Sequence, residues 1–122
     1  MGLAFDELSG QVKAAAIEVY KKLGPGFVES VYENALKLEL AKRGIPFASQ
    51  KPIDVLYDGA VVGTHVMDVL VDEGLIVELK AVKALDPVHY SQVRSYLRAS
   101  GASIGLLMNF NSTVLVVKRI VN

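Results

Sequence analysis

The hydrophobic and polar positions along the chain change period several times, and each change marks an element. Leu8, Val12, Ala15, Ala16, Val19 and Leu23 recur at helical spacing, and Gly24-Pro25-Gly26 ends the run, so residues 5–22 are read as a first helix. Residues 28–43, rich in good helix formers and stopped by Gly44 and Pro46, form a second. The period then falls towards two. Residues 51–57 and 60–71 are β-rich runs joined by Asp58-Gly59, a strong hairpin signal, and Asp72-Glu73-Gly74 turns the chain into a third antiparallel strand, 75–82. Asp86-Pro87 reads as an N-cap followed by proline at the first helical position, for a helix that runs to Ser100 and closes at Gly101. Two further strands, 104–110 and 113–119, flank Asn111-Ser112. The order ααβββαββ, with no linker, repeat or low-complexity tract, predicts one α/β domain over residues 1–122, a mixed β-sheet flanked by helices.

A turn centred on Glu73 pairs Val71 with Leu75 and Asp68 with Glu78. Opposed residues on antiparallel neighbours share a face with Cβ atoms roughly 5 Å apart, so the two carboxylates repel unless something compensates, as a divalent cation would. Lys80 returns to the same face, giving a cluster of Asp68, Glu78 and Lys80 bordered by Val66, Leu70 and Ile76. The opposite face, Met67, Val69, Val71, Leu75, Val77, Leu79 and Ala81, is wholly apolar; its burial fixes the register. Two carboxylates and a main-chain carbonyl are enough protein ligands for a hard ion such as Mg2+, which keeps several waters. A lysine beside such an ion can orient a water or offset charge on a phosphoryl group. The plainer alternative is an exposed salt bridge between Lys80 and one of the acids. On the second helix, Glu29 and Glu33 share a sector with Leu36 and Leu40, and so either point toward the sheet or flank the stripe and reach water at the helix N-terminus. On the third, His89, Gln92 and Tyr96 lie along one face and Arg94 and Arg98 along another; core packing for Tyr96 and a surface place near the cap for His89 stay open beside a ligand role.

Composition narrows the chemistry. The 122 residues include no Cys and only two His, which rules out a disulfide framework, a thiolate metal site and a thiol nucleophile, and favours oxygen ligands for any metal. No apolar stretch approaches the roughly 18 residues of a membrane span, and Met1 to Glu7 lacks the pattern of a secretion signal, so a cytoplasmic protein without membrane association is expected. The 13 basic and 13 acidic residues cancel, which argues against a polyanion partner until their positions are read. Residues 1–78 hold 7 basic and 12 acidic side chains, whereas residues 79–122 hold Lys80, Lys83, Arg94, Arg98, Lys118 and Arg119 against Asp86 alone. An acidic part that supplies metal ligands and a basic part that meets phosphate are therefore expected on distinct surfaces.

The sequence GFVESVY at residues 26–32 fits a GxxExxY signature. With LGPGFVESVYENAL, IPFASQKPIDVLYDG, DVLVDEGLIVELKAV, LDPVHYSQVRSYL, GLLMNF and VKRIV around it, the chain resembles the small GxxExxY proteins of the PD-(D/E)XK nuclease superfamily over nearly its whole length. The resemblance implies a restriction-endonuclease-like core in which Asp68 is the motif aspartate, Glu78 and Lys80 are the E-x-K pair and Glu29 is an acid from the preceding helix. Met67 stands where the motif has proline. Gln92 to Tyr96 resembles the QxxxY element that positions nucleic acid in RecB-like members. The implied function is metal-dependent hydrolysis of phosphodiester bonds in nucleic acid, DNA more than RNA. Asp68, Glu78, the Leu79 carbonyl and Glu29 would hold Mg2+ or Mn2+, and Lys80 would position the attacking water. Gln92, Tyr96, Lys83, Arg94 and Arg98 would engage the strand, with Glu33, His89 and Tyr32 as secondary candidates. Two alternatives share the fold: a non-catalytic nucleic-acid-binding or regulatory module, with specificity supplied by a partner protein, and a homodimeric junction-cleaving enzyme.

Overall fold

The helical and alternating patterns are realised in that order. A computed structural model, which describes residues 2–121, contains α1 (Gly2–Leu23), α2 (Glu29–Lys42), β1 (Phe47–Tyr57), β2 (Ala60–Val71), β3 (Leu75–Lys80), α3 (Pro87–Ser100), β4 (Ile104–Asn109) and β5 (Val116–Val121). The strands form one mixed sheet in the order β1-β2-β3-β4-β5. Among the described strands only β3 and β4 run parallel, as the α3 crossover between them requires, and both are buried along almost their whole length.

Each face of the sheet has its own core. Val12, Ala15, Ala16 and Val19 of α1 and Tyr32, Leu36 and Leu40 of α2 pack on Val69, Val71, Leu75, Val77 and Leu79. On the other face, Val93, Tyr96 and Leu97 of α3 pack on Met67, Ile76, Leu107 and Ile120. Gly105 of β4 admits α3 at this distance, because a Cβ there would lie 2.7 Å from Val93 Cγ1. Gly105→Ala is accordingly expected to lose about 1–3 kcal/mol of stability by overpacking, read as a lower melting temperature with the fold retained.

The β2–β3 turn pivots on Glu73: Val71 pairs with Leu75, Leu70 with Ile76 and Val69 with Val77, the register derived from the sequence. Asp72 and Glu73 both adopt left-handed backbone there, as Asp58 and Gly59 do at the β1–β2 turn. Four details differ from the sequence reading. β1 begins at Phe47 and carries Pro52, which an edge strand tolerates. β3 stops at Lys80 instead of Val82, because buried Asn109 captures the next segment: its Oδ1 accepts from Val82 N at 3.1 Å and its Nδ2 donates to the Val82 carbonyl at 2.9 Å. β4 ends at Asn109 and β5 starts at Val116 instead of residue 113. The intervening turn is held from outside the sheet, since Gly26 N donates to Asn111 Oδ1 and Tyr20 OH to the Ser112 carbonyl.

The fourth difference is Met67. It is buried, as expected, but on the α3 side, whereas Val69 and Val71 lie on the α1–α2 side. Strict alternation would put all three together, so the faces of β2 exchange at Asp68. Opposite this step in β1 stands Gln50, with φ +52°. Beyond the step, β1 and β2 continue without β3 as a two-stranded arm, whose Leu56, Tyr57, Val61 and Val62 are exposed. The charge division also needs correction, since Lys118 and Arg119 lie on β5 at the sheet edge and Arg119 is ion-paired with Asp6 of the acidic half. No described helix is long and apolar enough to cross a membrane.

Candidate active site

The β2–β3 ladder ends one step before the two acids that sequence register places opposite each other. Past Val69–Val77 the main chains no longer pair directly. The side chains take over: Asp68 N donates to Glu78 Oε1 at 2.9 Å, and Leu79 N donates to Asp68 Oδ2 at 3.0 Å. Two carboxyl groups thus bridge a parting in the sheet, each fixed by a main-chain N–H on the neighbouring strand. Among the described residues, the second oxygen of each carboxylate has no main-chain donor. Such bonds are directional and hold the pair in place, while the two groups repel whenever both are ionised.

Burial makes that repulsion severe. Glu78 is 3% exposed, and burial, then the neighbouring Asp68 carboxylate, push its pKa up to about 8 against the opposing pull of the Asp68 N–H and of Lys80. Tyr96 of α3, 5% exposed, is pushed up to about 12 by burial first and then by Glu78 and Asp68, which places its phenol within their field. From the other face comes Glu29, the first residue of α2. Burial raises its pKa, repulsion from Asp68 and Glu33 adds to this, and Lys80 lowers it. Lys80 is half-buried and belongs to none of the four ion pairs among the described residues, so the alternative of a salt bridge with Asp68 or Glu78 is not what the strands hold.

Glu29, Glu78 and Tyr96 thus each feel the Asp68 carboxylate, Lys80 acts on Glu29 and Glu78, and the Leu79 N–H is bound to Asp68. Gln92 lies half-buried one turn before Tyr96. Lys83, Arg94 and Arg98 are exposed, and Arg98 borders a hollow beside the arm with Asp54, Leu56 and His65. His89 serves its own helix, since its Nδ1 accepts from Asp86 N at 2.9 Å. Glu33 is buried, and the Gln50 amide donates to both of its oxygens. The sequence reading missed His65, whose ring lies 5.3 Å from that of Tyr96, and Gln50. Neither carries a spacing signal, because both meet their partners across elements.

Tyr32 lies inside the protein. Its ring stacks on Phe110 at 4.8 Å, and its hydroxyl donates to the Gly24 carbonyl at 2.6 Å and accepts from Phe27 N at 3.1 Å. Gly26 between them has φ +113°, which disfavours any side chain. The glycine, glutamate and tyrosine of residues 26–32 thus act as a unit: the tyrosine ties down the loop that delivers Glu29. Tyr32→Phe strands two loop groups, and a loss of about 1–2 kcal/mol is expected, seen as a melting temperature several degrees lower.

Among the described residues no three His, Asp or Glu side chains converge as a ready-made metal cluster. Even so, the paired carboxylate oxygens with an adjacent main chain are the hard donor set that Mg2+ or Mn2+ prefers, and a cation would relieve the repulsion that burial magnifies. A mixed sheet clad by helices, parted over opposed carboxylates beside a lysine, defines a nuclease-like α/β protein. The chain belongs to the PD-(D/E)XK nuclease superfamily, whose family model matches residues 6–120. No curated protein and no solved structure matches it.

Proposed function

We infer that the protein is a GxxExxY-type nuclease of one domain, hydrolysing phosphodiester bonds of nucleic acid, DNA more than RNA. The observation that carries this reading is the Asp68–Glu78 pair, held across the strand parting with Lys80 near but unpaired. Asp68 and Glu78, with the Leu79 carbonyl and Glu29, would hold Mg2+ or Mn2+. When bound, such an ion supplies Lewis acidity and lowers the pKa of a coordinated water. Lys80 would orient the attacking water and offset charge on the phosphoryl oxygens. Tyr96 and Gln92 would steer the strand, and Lys83, Arg94 and Arg98 would contact its phosphates.

The test is a Mn2+ titration followed by melting temperature, paired with cleavage of a panel of DNA and RNA substrates with and without chelator. Saturating Mn2+ is expected to raise the melting temperature, because an ion that binds only the folded state stabilises it by mass action. Chelator is expected to abolish cleavage. Nucleic-acid binding without cleavage under any divalent ion would instead define a binding module. Sedimentation of the same samples reads whether a homodimer or an added partner protein is required.

A further inference from the structure

The geometry points to Glu33 and Gln50 as a clamp that sets the orientation of Asp68, making both positioning residues for the reading above, on which this inference rests. Among the described residues, four other than glycine have left-handed backbone: Asp58, Asp72 and Glu73 form the two hairpin turns, but Gln50, with φ +52°, lies inside a strand. No turn explains it. A long side chain disfavours this conformation, so surrounding contacts must impose it.

The contact is visible. The Gln50 amide donates to Glu33 Oε1 at 3.1 Å and Oε2 at 2.9 Å. Glu33 is 8% exposed on α2, appears in none of the ion pairs among the described residues, and has Gln50 as its recorded hydrogen-bond donor. A buried carboxylate spent on one neutral amide is an expensive anchor unless the anchor fixes something.

What it fixes lies directly across the ladder. Ser49 pairs with Val69 and Lys51 with Met67, which leaves Gln50 facing Asp68 at the step where β2 exchanges faces. In a regular pleat Asp68 would project from one face of the sheet. At the exchange, its Oδ2 accepts from Leu79 N and its own N–H reaches Glu78 Oε1. Since α2 also carries Glu29 one turn earlier, a single helix sets Glu29 directly and Asp68 through Gln50.

Gln50→Gly separates the clamp from backbone strain, because glycine accepts the left-handed conformation without the amide. In metal-free protein, this variant and Glu33→Ala are both expected to speed hydrogen exchange of the Asp68 and Leu79 amides at least tenfold, while amides of β4 stay within twofold. Glu33→Gln, which keeps an acceptor for the Gln50 amide, is expected to stay near wild type. In calorimetry, Mn2+ affinity is expected to fall at least fivefold in the first two variants. Unchanged exchange at Asp68 and Leu79 in both, or equal loosening of the whole sheet, overturns the clamp. Failure of the wild-type protein to bind Mn2+ overturns the metal reading alone, since the exchange measurement needs no metal.

Discussion

Alanine in place of Asp68 or Glu78 is expected to lower metal-dependent cleavage about a thousandfold, the rate equivalent of about 4 kcal/mol of transition-state stabilisation. The size follows from what each side chain does. Either substitution removes half of the paired carboxylate set, and each also orphans one main-chain donor: Asp68→Ala leaves Leu79 N without its acceptor, and Glu78→Ala does the same to Asp68 N. The remaining carboxylate loses its repulsive neighbour, so the metal-free protein is not expected to unfold. Asp68→Asn keeps an acceptor for Leu79 N and removes only the charge; it should match Asp68→Ala in activity while keeping wild-type exchange at that amide. The decisive measurement is single-turnover cleavage beside the Mn2+-induced rise in melting temperature. Both should vanish together, and cleavage that persists in either alanine variant rejects the assigned chemistry.

The second large effect is on stability against pH. Glu78 is raised from an ordinary value of 4.5 to about 8, so the folded protein holds this proton more tightly than the unfolded chain does. Below 4.5 both states are protonated and the contribution to stability is full. Between 4.5 and 8 the unfolded chain ionises first, and stability falls with rising pH by at most about 1.4 kcal/mol per unit. Above 8 the loss is complete and levels off. Glu29, also raised, acts in the same direction. Glu78→Gln cannot ionise, so its melting temperature relative to wild type should rise through this window, by on the order of 10 °C for a few kcal/mol. Mn2+ competes with the proton, so its affinity should increase toward pH 8. A constant difference between wild type and Glu78→Gln from pH 5 to 9 would contradict the buried, repelled state of this carboxyl.

Much of this is legible in the sequence, for a physical reason. The turn at Asp72-Glu73-Gly74 is local, and a buried apolar face permits one register, so the opposition of Asp68 and Glu78 follows from short-range rules. The same holds for the helix starts and stops, which glycine and proline punctuate. What stayed hidden depends on contacts between elements. The exchange of faces at Asp68 stands opposite Gln50, which leaves the β region and is bound to Glu33 on a different element. The early end of β3 requires Asn109, 27 residues away from Val82. Two-period patterning assumes an uninterrupted pleat, and here the interruption is where the charged pair sits. The charge split along the chain is crossed at one point, where β5 carries Lys118 and Arg119 to the sheet edge and Arg119 meets Asp6.

The β1–β2 arm offers the experimenter a handle. Its tip, Asp58-Gly59, is an exposed turn, the kind of place that accepts substitution without disturbing a core. At about 3.3 Å per residue along β2, the tip lies about 25–30 Å from Asp68, too far to perturb the carboxylates and close enough for a dye to sense what arrives there. Because the sequence contains no cysteine, a single Ala60→Cys substitution at the exposed start of β2, beside this turn, would create a unique thiol. A fluorophore attached at that point would test in real time whether nucleic acid binds, independent of whether cleavage follows.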